Sequence, residues 1–309
     1  MKFLLSILIL LLIVSTVDAK KLYKSVDERG RVSYSDKPPK KPTKKLTVSH
    51  LKYTKPEQRL FLKRRDGKNS AIFTVHNNYQ GPMTLTITLS EAVNVGRSVK
   101  FPFTVTVPPN SNKKIFKLWR GNKRKGWKYR YSYRFSPGSP KAKHSPEKPY
   151  RVPFKFGEKY YISQAFFGKA THHVLGNNYA VDIVLPEGTP IVAARKGVVM
   201  DIANNFSLGG KKEKYKSMAN YVRIIHDDGT MAIYAHLQLA SIQVPIGSRV
   251  KEGQMIAKSG TTGYSSGPHL HFVIQKNDGK QLISVPFDFE GINGKGFIPQ
   301  RGQLLVATP

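Results

Sequence analysis

Alternation with a period of two, rather than any helical period, governs most of this chain. In MTLTITLS, Thr84, Thr86 and Thr88 alternate with Met83, Leu85, Ile87 and Leu89. An extended backbone puts the apolar set on one face and the threonines on the other. GWKYRYSYRF repeats the pattern, with Trp127, Tyr129, Tyr131, Tyr133 and Phe135 on one face and Lys128, Arg130 and Arg134 on the other. Basic residues interleaved with aromatics can form a platform for bases or sugars. An aromatic face at this spacing is ordinarily sandwich core under a solvated basic face, and that reading is adopted. Turn chemistry separates such runs, as in PPNSNKK at 108–114 and DDGT at 227–230, while helical signals are scarce. The chain should be mainly β, and residues 50–136 should form an immunoglobulin-like β-sandwich.

Residues 1–19, MKFLLSILILLLIVSTVDA, are of a different kind. Lys2 gives a positive start, Phe3 to Val14 is nearly all apolar, and Val17-Asp18-Ala19 fits a cleavage site, which is the anatomy of a secretory signal peptide. The run is short against the roughly 20 residues of a membrane span. No later segment is a candidate, so no span is expected after signal removal, an uncleaved anchor being the alternative. The chain has no cysteine, which excludes disulfides and a lipid-bearing cysteine. A net charge of +32 from 51 Lys and Arg against 19 Asp and Glu attracts polyanions through long-range fields. For an exported protein these are anionic envelope polymers and wall carboxylates, and no nucleic acid partner is expected.

Further boundaries follow from composition. Residues 20–46 pair two alternating runs around Asp27-Glu28-Arg29-Gly30 with the basic, Pro-rich linker KPPKKPTKKL, which should stay extended. The first part resembles a small N-terminal module of unknown function found in proteobacterial envelope proteins. SPGSPKAKHSPEKPY at 136–150 reads as a second linker, placed at 137–150. Residues 151–290 form the third domain, with a tail over 291–309. The basic stretch SLGGKKEKYKSMAN, 207–220, interrupts its strands as a long loop.

Of the nine histidines, five fall into three clusters of this last domain: His172 and His173, His236, and His269 and His271. In SGPHLHF, a strand entered from a turn puts His269 and His271 on one face, with Leu270 and Phe272 on the other. Two imidazoles side by side are either an accident of a polar face or half of a metal site, which zinc would complete with further imidazole or carboxylate, leaving one position open for water. No His-Glu-x-x-His is present, so any metal must be gathered from strands. Gly263-Tyr264-Ser265-Ser266-Gly267 fits the Gly-x-Ser-x-Gly of serine hydrolases, but that elbow must lead into a helix. Here Pro268 leads into a strand, and these residues read as a loop beside a groove.

Together, THHVLGNNYAVDIVLPEGTPIVAARKGVV, YAHL and SGTTGYSSGPHLHF resemble the lysostaphin-like (LytM-type) zinc metallopeptidases, which cut peptide bonds in peptidoglycan. The resemblance covers roughly residues 157–277. It implies a lysostaphin-like antiparallel β domain and a bound Zn2+. Asp182 of YAVDI would be the carboxylate ligand and His271 the downstream imidazole ligand. His236 of YAHL and His269 would be the non-ligand catalytic pair. The first ligand would be His172 or His173. Many members carry only three residues between the first His and the Asp, and counting back from Asp182 as in longer-loop members favours His173. Adjacent residues of an extended segment face opposite ways, so only one should reach the metal.

Such a site could polarise a scissile carbonyl and activate water. No glutamate falls within YAVDI, YAHL or SGPHLHF, so His236 and His269 would hold the water and stabilise the oxyanion. Tyr234, two residues before His236, would reach the same face and offer a hydroxyl, packing being the alternative role for a tyrosine on this strand. Because the histidines must be neutral, activity should fall below roughly pH 6. The implied function is an exported zinc endopeptidase acting on peptidoglycan stem peptides or cross-links. Its place would be the periplasm, a secreted or signal-anchored protein being the alternative. The competing readings are a non-catalytic relative that binds wall or activates an amidase, and a basic polyanion-binding module.

Overall fold

In a computed structural model of the protein, residues 57–308 are described throughout, with 20–26, 28, 32–35, 38–39 and 43–51 before them. The signal-peptide expectation for residues 1–19 lies outside the described residues. The chain divides into two units, 1–53 and 54–309. In the first, Lys20–Val26 and Val32–Ser35 pair antiparallel as a hairpin. Lys45–Leu51 pairs along the other side of Lys20–Val26, so the last residues of the expected linker are paired backbone rather than spacer.

The second unit begins with two packed sheets. Leu60–Gly67, Ser70–Asn77, Ser111–Arg120 and Val95–Arg97 form one, in that order, and Lys128–Pro137, Met83–Val93 and Phe103–Val107 form the other. The period of two explains both. Along Ser70–Asn77, Ala71, Phe73 and Val75 are fully buried between partly exposed neighbours. Phe73 stacks on Phe116 with ring centroids 4.3 Å apart. Trp127, Tyr129, Tyr131 and Phe135 pack against the same core, so the aromatic face is interior; Tyr133 alone of that set remains 39% exposed.

The rest of the unit is built on a nine-stranded antiparallel sheet. Its order is Arg249–Val250, Gly197–Ala203, Tyr221–Ile225, Met231–Ala235, His269–Asn277, Val181–Val184, Lys159–Gln164 and Leu304–Val306, with Leu282–Ser284 also paired to His269–Asn277. Val222, Ile224, Ala232, Tyr234, Leu270, Phe272 and Ile274 point into the main core on one face. Residues 291–309 are not the expected tail. Leu304–Val306 pairs with Lys159–Gln164, and Leu305 and Ala307 are buried in that core. A short apolar strand gains its place by capping an otherwise open sheet edge.

Register orders the opposite face into rows, since partners across an antiparallel ladder share a face. Tyr221, Ala235, His271 and Asp182 make one row. Arg223, Ile233 and Val273 make the next, and Ile225, Met231 and Gln275 the third. Met231, with Met200 and Ile225, packs into the core of the two-sheet sandwich. The sandwich therefore sits on this face of the sheet and walls one end of it.

Candidate metal and catalytic centre

The first row and the strand ends beside it gather the titratable groups. His269 and His271 both lie on the groove face of His269–Asn277, while Leu270 and Phe272 are fully buried behind them. The strand is unbroken there, so the spacing of two holds. His271 stands opposite Asp182 in register, and its Nδ1 lies 2.8 Å from Asp182 Oδ1.

His172, not His173, completes the group. The imidazole Nε2 of His172 lies 3.2 Å from Asp182 Oδ1, and His172 is wholly buried, whereas His173 is exposed. The reason is tertiary. Phe167 adopts a left-handed φ of 56°, and the His172 amide donates to Gly168 O at 2.9 Å. That turn aims His172 inward and its neighbour out. The expectation for His173 is thus corrected to His172 in the geometry.

Gln164 ties the turn to the carboxylate and carried no signal in its sequence context. Its Nε2 donates to Thr171 Oγ1 at 2.6 Å and Asp182 Oδ2 at 2.9 Å, while its Oε1 accepts from the Ala170 and Thr171 amides. Asp182 Oδ2 is thereby held, and Oδ1 is left facing the imidazoles. Burial alone would raise the Asp182 pKa, but the His172 and His271 imidazoles set against it outweigh burial and hold it well below the usual carboxylate range.

Does this set fit a metal? His172 Nδ1 donates to Ala165 O at 2.9 Å, because a carbonyl can only accept. The proton is then on Nδ1, and Nε2 keeps a lone pair that finds no hydrogen-bond partner despite being buried. An orphaned acceptor beside a carboxylate and a second imidazole is what a cation would satisfy. Ligand atoms of His172, Asp182 and His271 all lie within 4.8 Å of one another. Two imidazoles and one carboxylate are a donor set suited to zinc.

His236 and His269 face this trio with ring centroids 4.5 Å apart. His236 Nδ1 donates to Thr262 O at 2.6 Å and His269 Nδ1 to Gly267 O at 2.8 Å, so each presents Nε2 as an acceptor. Burial, reinforced by the neighbouring His269 and His271, pushes the His236 pKa down to about 3. Tyr234 does not join them. It is fully buried on the core face, and its hydroxyl accepts from the Ala194 amide at 2.8 Å. His236 follows the end of the strand with a left-handed φ of 63°, and this breaks the alternation on which Tyr234 was expected to share its face. Ser265 is buried, with its hydroxyl donating to Gly267 O at 2.8 Å. It braces the loop that holds His269 and is not poised as a nucleophile.

Residues 176–282 match the family model of peptidase family M23, and residues 9–59 match a domain of unknown function, DUF4124. The first match contains Asp182, His236, His269 and His271 and begins after His172. Over 97 residues the chain is 37% identical to glycyl-glycine endopeptidase ALE-1 of Staphylococcus capitis, which covers 31% of this chain and 24% of that protein. Over 115 residues it is 38% identical to peptidoglycan DD-endopeptidase ShyC of Vibrio cholerae, covering 36% of this chain and 24% of that protein. Among solved structures, the catalytic domain of lysostaphin from Staphylococcus simulans is 29% identical, covering 38% of this chain and 78% of that one with a TM-score of 0.27. The chain spans about a quarter to a third of the length of the curated relatives it matches.

Proposed function

We propose that this chain, whose residues 176–282 form a domain of peptidase family M23, is an exported zinc-dependent endopeptidase that hydrolyses peptide bonds in peptidoglycan stem peptides or cross-links. The observation that carries the reading is the buried His172, Asp182 and His271 trio with His236 and His269 turned toward it. Relatives named as peptidoglycan and glycyl-glycine endopeptidases support the substrate class. The N-terminal charge and apolar pattern supports export to the periplasm.

His172, Asp182 and His271 would hold the metal, which when bound supplies Lewis acidity toward the scissile carbonyl and makes water more acidic. The remaining chemistry belongs to the chain. Asp182 stays ionised because its two imidazole neighbours overcome its burial. His236 and His269 keep their protons on Nδ1, so either Nε2 can take the proton of the attacking water and return it to the departing amine. A protonated imidazole here would also stabilise the developing oxyanion. Beside these groups Ala235, Ile233 and Val273 are buried in a small apolar cluster with Ala180.

The test is zinc analysis of the purified protein together with mass spectrometry of the muropeptides it releases. Stoichiometric zinc and hydrolysis should both disappear in His271→Ala. Undiminished wall digestion by that variant would overturn the reading.

A further inference from the structure

Beyond His269 the open face of the sheet carries an apolar strip that this chemistry does not use. Val184 stands opposite His269 in register and shares its strand face with Asp182. One residue on from the Ile162 and Ile183 pair, Tyr161 comes beside Val184, and Tyr161 pairs in turn with Leu304 of the edge strand. Ile162, Ile183 and Leu305 point into the core. Alternation therefore turns Tyr161, Val184 and Leu304 to the same side as His269. There they stay exposed, by 59%, 48% and 40%. A continuous exposed apolar strip on a soluble surface marks a place where something binds.

The strip ends in a cleft of about 470 Å³, where the hairpin of Phe289–Glu290 and Gly296–Phe297 meets the edge strand. Ile292, Phe297, Leu304 and Val306 give it apolar walls, while Asn293 and Gln303 add side-chain amides. Each amide oxygen already accepts a backbone N–H at 3.0 Å, from Lys295 and Gln300 respectively, so each has an NH2 donor left to offer. No residue lining the cleft is charged, although the chain carries a net +32. An anionic ligand would be met by lysine or arginine, and a wholly apolar one would leave the amides unused. An N-acetylated pyranose suits both features. Its CH face lies on aliphatic and aromatic side chains, and its hydroxyl and acetamido oxygens accept from the amides. Reach agrees as well. Leu304 is three strand spacings from His269, about 14 Å, and four extended residues between a sugar and a cross-link also span about 14 Å.

We infer that the cleft of Ile292, Phe297 and Leu304 binds an N-acetylated sugar of the glycan strand that bears the cleaved stem, with the stem running over Tyr161 and Val184 to His269. The inference rests on the endopeptidase reading and extends its substrate from peptide alone to peptide with its glycan.

The experiment compares a cross-linked muropeptide dimer that keeps its disaccharides with the same dimer stripped of them, and measures chitotetraose binding by calorimetry. Zinc-loaded protein should prefer the sugar-bearing dimer by about 10-fold, expressed in KM rather than kcat, as expected of binding remote from the reacting bond. Ile292, at 78% exposure, can be changed without disturbing the core. Ile292→Ser should lose that preference and chitotetraose binding together, while cleaving the stripped dimer like wild type. Tyr161→Ala should raise KM for both dimers, because the stem crosses it. Equal KM for the two dimers in wild type, or a preference unchanged in Ile292→Ser, overturns the inference. So does protein that ignores chitotetraose but self-associates in sedimentation until Ile292 is replaced, which would make the strip a contact between copies. If neither dimer is cleaved, the endopeptidase reading fails, while chitotetraose binding and its loss in Ile292→Ser still decide the role of the cleft.

Discussion

The rings of His236 and His269 lie with centroids 4.5 Å apart and planes tilted by 42°, each with its Nδ1 committed to a backbone carbonyl. The two carbonyls, of Thr262 and Gly267, belong to one glycine-rich loop. That loop fixes both tautomers together, so both rings leave Nε2 unprotonated beside the trio of His172, Asp182 and His271.

Replacing either ring should therefore separate metal binding from turnover. In His236→Ala and His269→Ala the metal content should stay stoichiometric, while muropeptide release falls by about 10²- to 10⁴-fold. Elemental analysis alongside a turnover assay reads both, and wild-type turnover in either variant would remove its ring from the mechanism.

The adjacent histidines should behave oppositely. His172→Ala removes a buried imidazole whose Nε2 faces Asp182, and should abolish tight metal binding. His173→Ala alters an exposed side chain, and should leave metal content and turnover within about twofold of wild type, as expected of a surface change. Titration of the apo-protein with zinc checks this, and a reversed result would restore the sequence-based choice of His173.

Gln164 should matter for affinity although it touches no metal. Gln164→Ala frees Asp182 Oδ2 and unties Ala170 and Thr171, so zinc affinity should drop by about 10- to 100-fold. Competition against a chelator of known strength measures the drop. An unchanged affinity would reduce Gln164 to a loop brace.

Acid should destabilise the fold through His226. Its Nδ1 donates to Lys196 O at 2.7 Å, its Nε2 is buried without a partner, and burial pushes its pKa down to about 4. The unfolded chain would take up that proton near pH 6.5. The depressed value means that the stability is fully present above pH 6.5 and drains away as the pH falls toward 4, by up to about 3 kcal/mol. Asp228, held at about 2 by Arg195 and Thr230 against its burial, contributes only at lower pH. Urea midpoints from pH 8 to 4 should therefore slope less steeply in His226→Gln than in wild type. Identical slopes would exclude His226 as the cause.

Leu305→Ala tests whether the C-terminal strand is structural. Leu305 is fully buried in the main core, so truncation should cost about 2–5 kcal/mol in denaturant unfolding. A loss below about 0.5 kcal/mol is what a surface tail would give.

What could be read in advance depended on how local the deciding force was. His269 and His271 share a face because nothing interrupts their strand, and alternation alone places them. Tyr234 and His236 have the same spacing, but the left-handed φ at His236 breaks the pattern, and no residue type announces it. The choice between His172 and His173 is made by Gln164 and the Gly168 turn, groups several residues upstream. Leu304, Leu305 and Val306 are too few to signal a strand, and only the free edge offered by Lys159–Gln164 makes them one. Arg223 in YVRIIH looks like any solvated base, because its acceptor Gln275 arrives from a strand 52 residues further along the chain.

The joint at Met200, Met231 and Ile225 bears on how such a gene can be rearranged. A recombination event that carried residues 151–309 alone into a new protein would leave these side chains bare on the sheet, because their cover is the core of the preceding sandwich. Methionine packs adaptably against many shapes, so a different partner module could inherit the position only by presenting an apolar surface there. The heritable cassette is thus this sheet together with whatever lids its far rows.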